Sequence, residues 1–410
     1  MTTIINNEHK KLNVPNSTDT GNTIRNVPHL RFPEFMGEWV SKTIEDIAPL
    51  QRGFDLPTGQ INNGKFPVVY SNGIMNYHSS YKCVAPGLVT GRSGTIGKFT
   101  YIEDGYYWPH NTSLWVTDFY DNNPKFIYYL YQTIRIEQYS TGSGVPTLNR
   151  NNVHRHKIFI PKLKEQNKIA TFLSLLDERI AIQSKIIEDL KKLESAIIEK
   201  VFCSPNQEHP MCRIEGFEQA LSTYKMSDFS SRIATKNKDG KCSLVLTIAA
   251  QYGLVNQESF FNKSVASENL TGYYLLHKGE FAYNRSYSAG YDWGAVKRLG
   301  DYGEGVLSTL YICFKINETI VDSDYLSYYF ESTKWHKGLS DIAGEGARNH
   351  GLLNVSMADY FNTKHRFPVI EEQKAIAKML NAITDKERKA TLLRECYQKQ
   401  KQYLLRQMFI

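Results

Sequence analysis

The stretch IPKLKEQNKIATFLSLLDERI, residues 160–180, returns later in the chain as FPVIEEQKAIAKMLNAITDKE, residues 367–387. A constant spacing of 207 residues aligns the two copies and matches Glu165 with Glu372. Without a gap, the same spacing also matches Phe202 with Phe409. Similarity at a fixed spacing indicates a duplicated structural unit. The sequence therefore predicts a fold that is built twice.

A second pair of similar segments marks the start of each half. Residues 29–47 align with residues 211–229 at a spacing of 182, which matches Arg31 with Arg213. The two spacings differ by 25 residues, so the middle of the second half is longer by that amount. Ends that match around middles that differ predict a duplicated frame holding two diverged inserts.

Each copy of the repeated stretch continues as a long amphipathic helix. Between Glu165 and Phe202 there is no proline or glycine, and apolar residues recur every three to four positions. Pro161 and Pro368 mark the helix starts. A helix of this kind needs a partner face to be stable in water. The heptad-like seam favours an antiparallel coiled coil of the two copies, and the alternative is that each helix packs on its own domain.

The inserts, residues 37–158 and 219–365, have the pattern of mixed structure. β-branched and aromatic runs punctuated by Gly and Asn predict short strands and hairpins. A helix is predicted over residues 125–139, opened by Pro124, and another over residues 323–339. The fold class is therefore α+β, with two domains of mixed sheet and helices joined by a long two-helix coiled coil.

Size and composition agree with two soluble globular units. The chain has 410 residues, 41% of them apolar, and no apolar run long enough to span a membrane. Residues 1–27 are polar and predict a disordered arm. The six cysteines form no CxxC pair, which favours a reducing, cytoplasmic setting over a disulfide framework or a zinc site. The net charge of +7 favours a polyanionic partner only slightly.

Four motifs follow one another in a specific order. Trp39 precedes Ile44, Asp46 and Ile47, and it is followed by the loop TGRSGTIG (residues 90–97), by GSGVPTLN (residues 142–149) and by the Ile160-Pro161 and Glu165-Gln166 pairs. From about residue 28 onward, this order resembles the specificity subunits of type I restriction-modification systems. The second half departs from the pattern, with NRSYS at residues 284–288 and GARN at residues 346–349. Two heads that read different sequences would differ in this way.

The resemblance implies a domain plan and a function. The implied plan is an arm (1–27), a target-recognition domain (28–160), a repeated helix (161–205), a second recognition domain (206–367) and a second repeated helix (368–410). Such subunits bind a bipartite double-stranded DNA target with one domain per half-site. They recruit two modification subunits, which bind S-adenosylmethionine and methylate adenine, and restriction subunits that use ATP and Mg²⁺. The resemblance implies a chain that has neither a catalytic site nor a cofactor of its own.

The sequence leaves two other function classes open. A stand-alone DNA methyltransferase would need a cofactor site, and Asn123-Pro124-Lys125-Phe126 only approaches the Asn-Pro-Pro-Phe motif, because Lys125 breaks it. No glycine-rich cofactor loop, P-loop or nuclease motif accompanies it. A coiled-coil scaffold with protein-binding heads is compatible with the composition.

Candidate DNA-contacting residues lie in the predicted loops. Arg92-Ser93 and Arg285-Ser286 could fork onto guanine or hold a phosphate, and the equally weighted alternative is a structural turn. Other residues with suitable donor groups, each alone compatible with ordinary surface, are Lys98, His110, Asn111, Arg150, Arg298, Arg348, Asn349 and His350. The glycine turns at 142–144 and 344–346 are interpreted as chain reversals. His154 and His156 are predicted to share one face of a strand, without a third metal ligand.

Overall fold

The computed structural model describes residues 26–142, 144–263, 269–286, 288, 290–343 and 353–410. Residues 1–25 of the predicted arm lie outside the described residues. The chain divides into two compact units. The first unit contains the chain up to Ile180 together with Cys396–Ile410, and the second contains Ala181–Glu395. Among the described residues, no helix combines the length and apolar character that a membrane span requires.

The first unit is rich in short strands. In chain order they are β1 (Val40–Thr43), β2 (Leu50–Arg52), β3 (Phe66–Tyr70), β4 (Gly73–His78), β5 (Cys83–Val84), β6 (Gly87–Gly91), β7 (Phe99–Ile102), β8 (Tyr106–Pro109), β9 (Ser113–Val116), β10 (Ser140–Thr141), β11 (Thr147–Leu148) and β12 (Lys157–Ile160). The helices are α1 (Ile44–Ile47), α2 (Pro124–Thr133), α3 (Arg150–His154) and α4 (Leu163–Val201), and α4 continues into the second unit. Two 3₁₀ turns, Thr58–Gln60 and Ile136–Tyr139, complete the elements of this part.

Two four-stranded sheets organise the first unit. One has the order β2-β9-β6-β7, and the other has the order β4-β3-β8-β5, in which β3 and β8 run parallel. Strands β1 and β12 pair at the base, where Val40 lies opposite Ile160. The core packs Trp39 and the aromatic residues of α2 against the start of α4.

The second unit repeats the same plan. Its strands are β13 (Ser222–Lys225), β14 (Ser230–Arg232), β15 (Leu246–Ala249), β16 (Gly253–Asn256), β17 (Tyr274–His277), β18 (Phe281–Asn284), β19 (Ala295–Arg298), β20 (Glu304–Leu307), β21 (Ile312–Ile316) and β22 (Lys364–Phe367). Its helices are α5 (Met226–Phe229), α6 (Gln257–Phe261), α7 (Ser323–Tyr329), α8 (His336–Ser340), α9 (Met357–Asn362) and α10 (Ile370–Gln407), and the end of α10 belongs to the first unit.

The strand order of the second unit repeats that of the first. The sheet β14-β21-β18-β19 corresponds to β2-β9-β6-β7, and the base pair β13–β22 corresponds to β1–β12. Hairpin β15–β16 and the pair β17–β20 are linked by a parallel bridge between Val245 and Val306. That bridge reproduces the parallel contact of β3 with β8. The duplication read from the ends of each half therefore extends through the diverged inserts.

Identical side-chain bonds fix the repeated helix in each unit. Glu165 accepts two hydrogen bonds from Arg31, both of 2.8 Å, and Glu372 accepts two from Arg213, of 2.9 and 2.7 Å. Both carboxylates are almost fully buried. Paired, bidentate geometry is what allows a buried carboxylate to remain charged.

The glutamine that follows each glutamate holds the neighbouring helix. The carboxamide of Gln166 accepts from the backbone N–H of Asn123, which caps α2, and donates to the carbonyl of Pro161. Gln373 makes the equivalent bonds to the N–H of Asp322, the cap of α7, and to the carbonyl of Pro368. The Glu-Gln pair of the repeat thus orients the frame relative to each insert.

Matched residues at the two helix ends pack in different units. Phe202, after α4, lies in the second unit with its ring 5.0 Å from Tyr325. Phe409, after α10, lies in the first unit with its ring 5.3 Å from Phe126. Each helix therefore ends in the unit opposite to the one it starts from.

Two predicted helices were wrong in detail. The helix expected over 125–139 ends at Thr133, whose hydroxyl donates to the carbonyl of Leu130, and the chain resumes as a 3₁₀ turn. The helix expected over 323–339 is two helices, because Trp335 and Ser332 donate to the carbonyls of Phe330 and Tyr329 at the break.

The histidine pair shares no strand face. His154 ends α3 and accepts from the N–H of Leu50 at 2.8 Å, whereas His156 precedes β12 and pairs with the hydroxyl of Tyr139. Asn149 caps α3 and starts the helical turn that separates the two rings. Both imidazoles are therefore used as hydrogen-bonding groups of the fold.

Candidate nucleic-acid interface

Arg92 stands where three segments of the first unit meet. Its backbone N–H donates to the carbonyl of Thr112, and its own carbonyl accepts from the N–H of Leu148 at 2.7 Å. Its guanidinium donates to the carbonyl of Asn111 at 3.4 Å. The neighbouring Ser93 forms a bridge with Thr147. The Arg-Ser loop therefore connects strand β6 to the segment around β11 that follows the glycine turn.

Arg285 occupies the equivalent place in the second unit. Its carbonyl accepts from the N–H of Leu353 at 2.9 Å, and its guanidinium donates to the carbonyls of Leu310 and Val355, both at 3.2 Å. Its Nε is buried without a hydrogen-bond partner among the described residues. Ser286 donates its N–H to the side chain of Asn284. Both guanidinium groups donate hydrogen bonds to backbone carbonyls, which supports the interpretation as a structural turn over direct contact with bases.

Two further candidates of the first unit, Lys98 and His110, lie near one hairpin, β3–β4. Lys98 is exposed, and its ammonium donates to the carbonyl of Asn72 at 2.5 Å in the turn of that hairpin. The ring of His110 lies 4.2 Å from the ring of Tyr70, the last residue of β3. Burial lowers the pKa of His110, so the imidazole is neutral near pH 7. The structure brings these sequence-distant residues to one edge of the unit.

Asn111 and Arg150 differ in how firmly they are held. Asn111 donates its amide to the carboxylate of Asp55, which also pairs with Arg52 at 3.1 Å. Arg150 is exposed at the first position of α3. Of the two, Arg150 has the side chain that is more accessible to a polyanion.

Arg298 belongs to the packing of the second unit. It lies on β19 and pairs with Asp324 at 2.7 Å, while it also donates to Ser323 at 2.8 Å. Asp324 accepts in addition from Asn381 on α10. The arginine is therefore neutralised by a carboxylate, which favours a structural role. Arg348, Asn349 and His350 lie outside the described residues.

The two hairpin turns were not selected from the sequence. The turn between β3 and β4 is Ser71-Asn72, and the turn between β15 and β16 is Ala250-Gln251-Tyr252. A signal was present in the first case, because Asn-Gly between two apolar runs is a strong hairpin signature and Gly73 has φ +114°. Nothing comparable marks Gln251 as a turn residue.

Comparison with known proteins relates an N-terminal part of the chain to a family. Residues 36–192 match the model of the type I restriction modification DNA specificity domain. This part of the chain is therefore similar to that domain family. A type I restriction enzyme specificity subunit of Haemophilus influenzae is 32% identical over 146 residues, which cover 33% of this chain and 36% of the relative. The match thus spans about a third of that relative.

A solved structure extends the similarity of fold to almost the whole chain. The type I restriction-modification S subunit from M. genitalium covers 94% of this chain and 99% of its own, with a TM-score of 0.61. The sequence identity is 16%, so this likeness concerns the fold. The likeness of fold to that structure therefore extends over almost the whole chain.

Proposed function

We propose that this chain is the DNA sequence-recognition subunit of a type I restriction-modification complex and acts in the cytoplasm. The observation that carries the proposal is the duplication of a specificity domain. Residues 36–192 match the domain model. The second unit repeats the strand order of the first, and its Arg213–Glu372 pair repeats the Arg31–Glu165 pair. Two readers in one chain suit a bipartite double-stranded DNA target. In this proposal, residues 28–160 and 206–367 are the recognition domains, and residues 161–205 and 368–410 are the helices between them.

The long helices are proposed to form an antiparallel coiled coil that spaces the two half-sites. Within the first unit, Asp177 contacts Lys401 at 2.6 Å. Within the second unit, Lys191 contacts Glu387 at 3.4 Å. A residue that lies later in α4 contacts a residue that lies earlier in α10, which supports antiparallel packing. At 39 residues and 1.5 Å per residue, α4 is about 58 Å long, enough to act as a ruler along DNA.

The partners are proposed to be two modification subunits and the restriction subunits of the complex. A surface on one copy of a duplicated frame recurs on the other, so a partner that binds the frame should bind twice. Glu188 and Lys192 are exposed on α4, and the matched Glu395 and Lys399 are exposed on α10. S-adenosylmethionine, ATP and Mg²⁺ would then be held by these partners.

Glu199, on the same helix α4, has a structural role instead. Glu199 accepts from the N–H and the hydroxyl of Thr333, both at 2.9 Å, and pairs with Lys334 at 3.2 Å. These bonds connect α4 to the segment between α7 and α8 within the second unit. We therefore place the docking surface of α4 at the exposed residues Lys185, Glu188 and Lys192, without Glu199.

Binding by the purified full-length chain tests the proposal. We expect salt-sensitive binding to duplex DNA, selection of a bipartite motif from a randomised duplex pool, and no turnover of S-adenosylmethionine or ATP. Native mass spectrometry of the chain co-produced with its modification subunit should give two modification subunits per chain. Saturable S-adenosylmethionine binding with methyl transfer would support a stand-alone methyltransferase. Absence of any DNA binding would leave the coiled-coil scaffold with protein-binding heads.

A further inference from the structure

The turns of hairpins β3–β4 and β15–β16 are equivalent positions in the two units. In the first unit, strand β3 of the hairpin contacts a parallel neighbour through Val68 and Trp108. In the second unit, Val245, the residue before β15, forms a parallel bridge with Val306. Each hairpin ends at a glycine with positive φ. The two turns differ in length, with two residues in the first and three in the second. Equivalent position with different length and sequence is what two readers of different half-sites require.

Each turn lies against the Arg-Ser loop of its own unit. In the first unit, Lys98 donates to the carbonyl of Asn72, and a Cβ added to Gly91 would lie 3.2 Å from the side chain of Ser71. In the second unit, Ser288 lines a shallow cavity of about 230 Å³ together with Gln251 and its neighbours Ala249, Ala250, Tyr252 and Phe260. The Arg-Ser loops, already bound to backbone carbonyls, therefore serve as supports behind the turns.

Each turn presents an exposed carboxamide. Asn72 is exposed, and its amide donates to the sulfur of Met75 at 3.1 Å, a weak acceptor that DNA can readily replace. Gln251 is exposed at the middle of its turn. A two-stranded ribbon fits the major groove of B-DNA, and a carboxamide matches the N6 donor and N7 acceptor of adenine in a bidentate pair. The two turns thus combine the shape and the chemistry of major-groove readers.

We propose that Asn72 and Gln251 are specificity-determining residues, each reading an adenine in one half of the DNA target from the tip of its hairpin. This inference rests on the proposed function, since it names which residues perform the reading. Lys98 positions the turn of the first hairpin through its bond to the carbonyl of Asn72. Tyr252, which is 70% exposed, lies beside Gln251 in the same turn.

Motif selection by the full-length protein tests the assignment. Wild type and the Asn72→Ala and Gln251→Ala variants are each incubated with a randomised duplex pool, and the bound DNA is sequenced. Asn72→Ala should lower the preference for one A·T pair in one half-site by roughly 5- to 150-fold, and Gln251→Ala should do the same in the other. Asn76→Ala, on β4 of the same hairpin, and Gln257→Ala, at the start of α6, are matched controls that should return the wild-type motif.

A base analogue separates direct reading from loss of structure. Replacing the selected adenine by 7-deazaadenine removes the N7 acceptor, which should weaken binding by wild type and leave Asn72→Ala unaffected. Unchanged motifs in both alanine variants would overturn the assignment while leaving the DNA-recognition function intact. A wild-type protein that selects no motif would overturn the proposed function and the assignment together.

Discussion

The ring of Phe409 stacks on the ring of Phe126, with centroids 5.3 Å apart and planes at 28°. The ring of Trp39 packs edge-on against the ring of Phe409, with centroids 6.4 Å apart. The end of the second repeated helix is therefore part of the core of the first unit. Phe202, its match in the repeat, is part of the core of the second unit. Each unit is completed by the helix that begins in the other.

Truncating either phenylalanine should destabilise the unit in which it is buried. Phe409→Ala and Phe202→Ala each remove a nearly fully buried ring, and we expect a loss of about 3–5 kcal/mol in the free energy of unfolding. Hydrogen exchange should show faster opening of the first unit in Phe409→Ala and of the second in Phe202→Ala. Tyr403→Ala, an exposed position on α10, is the control. Equal loosening of both units by each variant would contradict this arrangement.

The Arg31–Glu165 and Arg213–Glu372 pairs should contribute equally to the two units. Glu165→Ala leaves the mostly buried Arg31 side chain, which is 16% exposed, without its carboxylate, and a loss of about 3 kcal/mol is expected from removing one partner of a buried pair. The double variant Arg31→Ala/Glu165→Ala should recover part of that loss in chemical denaturation. Glu372→Ala should behave alike. A strictly additive double variant would show that the two groups are not coupled.

Stability should fall as the pH falls below about 6.5, because of His365. Complete burial lowers the pKa of His365 to about 3, and its ring nitrogens face the hydroxyls of Tyr329 and Thr363. Below about pH 6.5, His365 is protonated in the unfolded chain but stays neutral in the folded chain. The contribution of His365 to the free energy of unfolding is therefore complete above this pH. As the pH falls from about 6.5 to about 3, the free energy of unfolding decreases by about 1.4 kcal/mol per pH unit.

Denaturant unfolding at several pH values measures this contribution. His365→Gln should be less stable than wild type at pH 8 and should lose less stability between pH 6.5 and pH 5. His277→Gln, with an exposed side chain, is the control. If the free energy of unfolding of His365→Gln fell with pH as steeply as that of wild type, a group other than His365 would cause the acid sensitivity.

The frame was predictable from the sequence, and the packing of the inserts was not. Periodicity and the absence of Pro and Gly located α4 and α10 to within a few residues, because a long amphipathic pattern has one solution. The breaks after Thr133 and Tyr329 depend on hydroxyl and indole groups that bond to helix-end carbonyls, and periodicity carries no signal for these bonds. The predicted domain boundaries stay a prediction.

The candidate site was predicted by residue type, which is a weak guide. Arg92 and Arg285 occupy equivalent places in the two units, but their bonds to the carbonyls of Asn111, Leu310 and Val355 depend on long-range packing. The hairpin turns were missed because their equivalence depends on sheet order, which becomes visible only in three dimensions.

Lengthening the helix pair should lengthen the gap between half-sites. Lys191 contacts Glu387, whereas the repeat-matched positions of the two helices do not face each other, so the insertions belong beside Lys191 and beside Glu387. One heptad in each keeps the seam in phase and adds about 10.5 Å, or roughly three base pairs. The same heptad in α4 alone should disturb the seam and lower stability. A motif with an unchanged gap would show that the helices do not space the readers.

Exchanging one insert and mapping methylated adenines shows whether the chain holds two independent readers. Residues 44–156 lie between the paired ends of β1 and β12, where Thr43 faces Lys157, so they can be replaced by those of a relative without cutting the ladder. The chimera is produced with its modification partner, and methylation is mapped across the host genome. We expect a bipartite motif in which one half changes while the other half and the gap stay constant. A motif that changes in both halves, or a single continuous motif, would show that the two units do not read DNA independently.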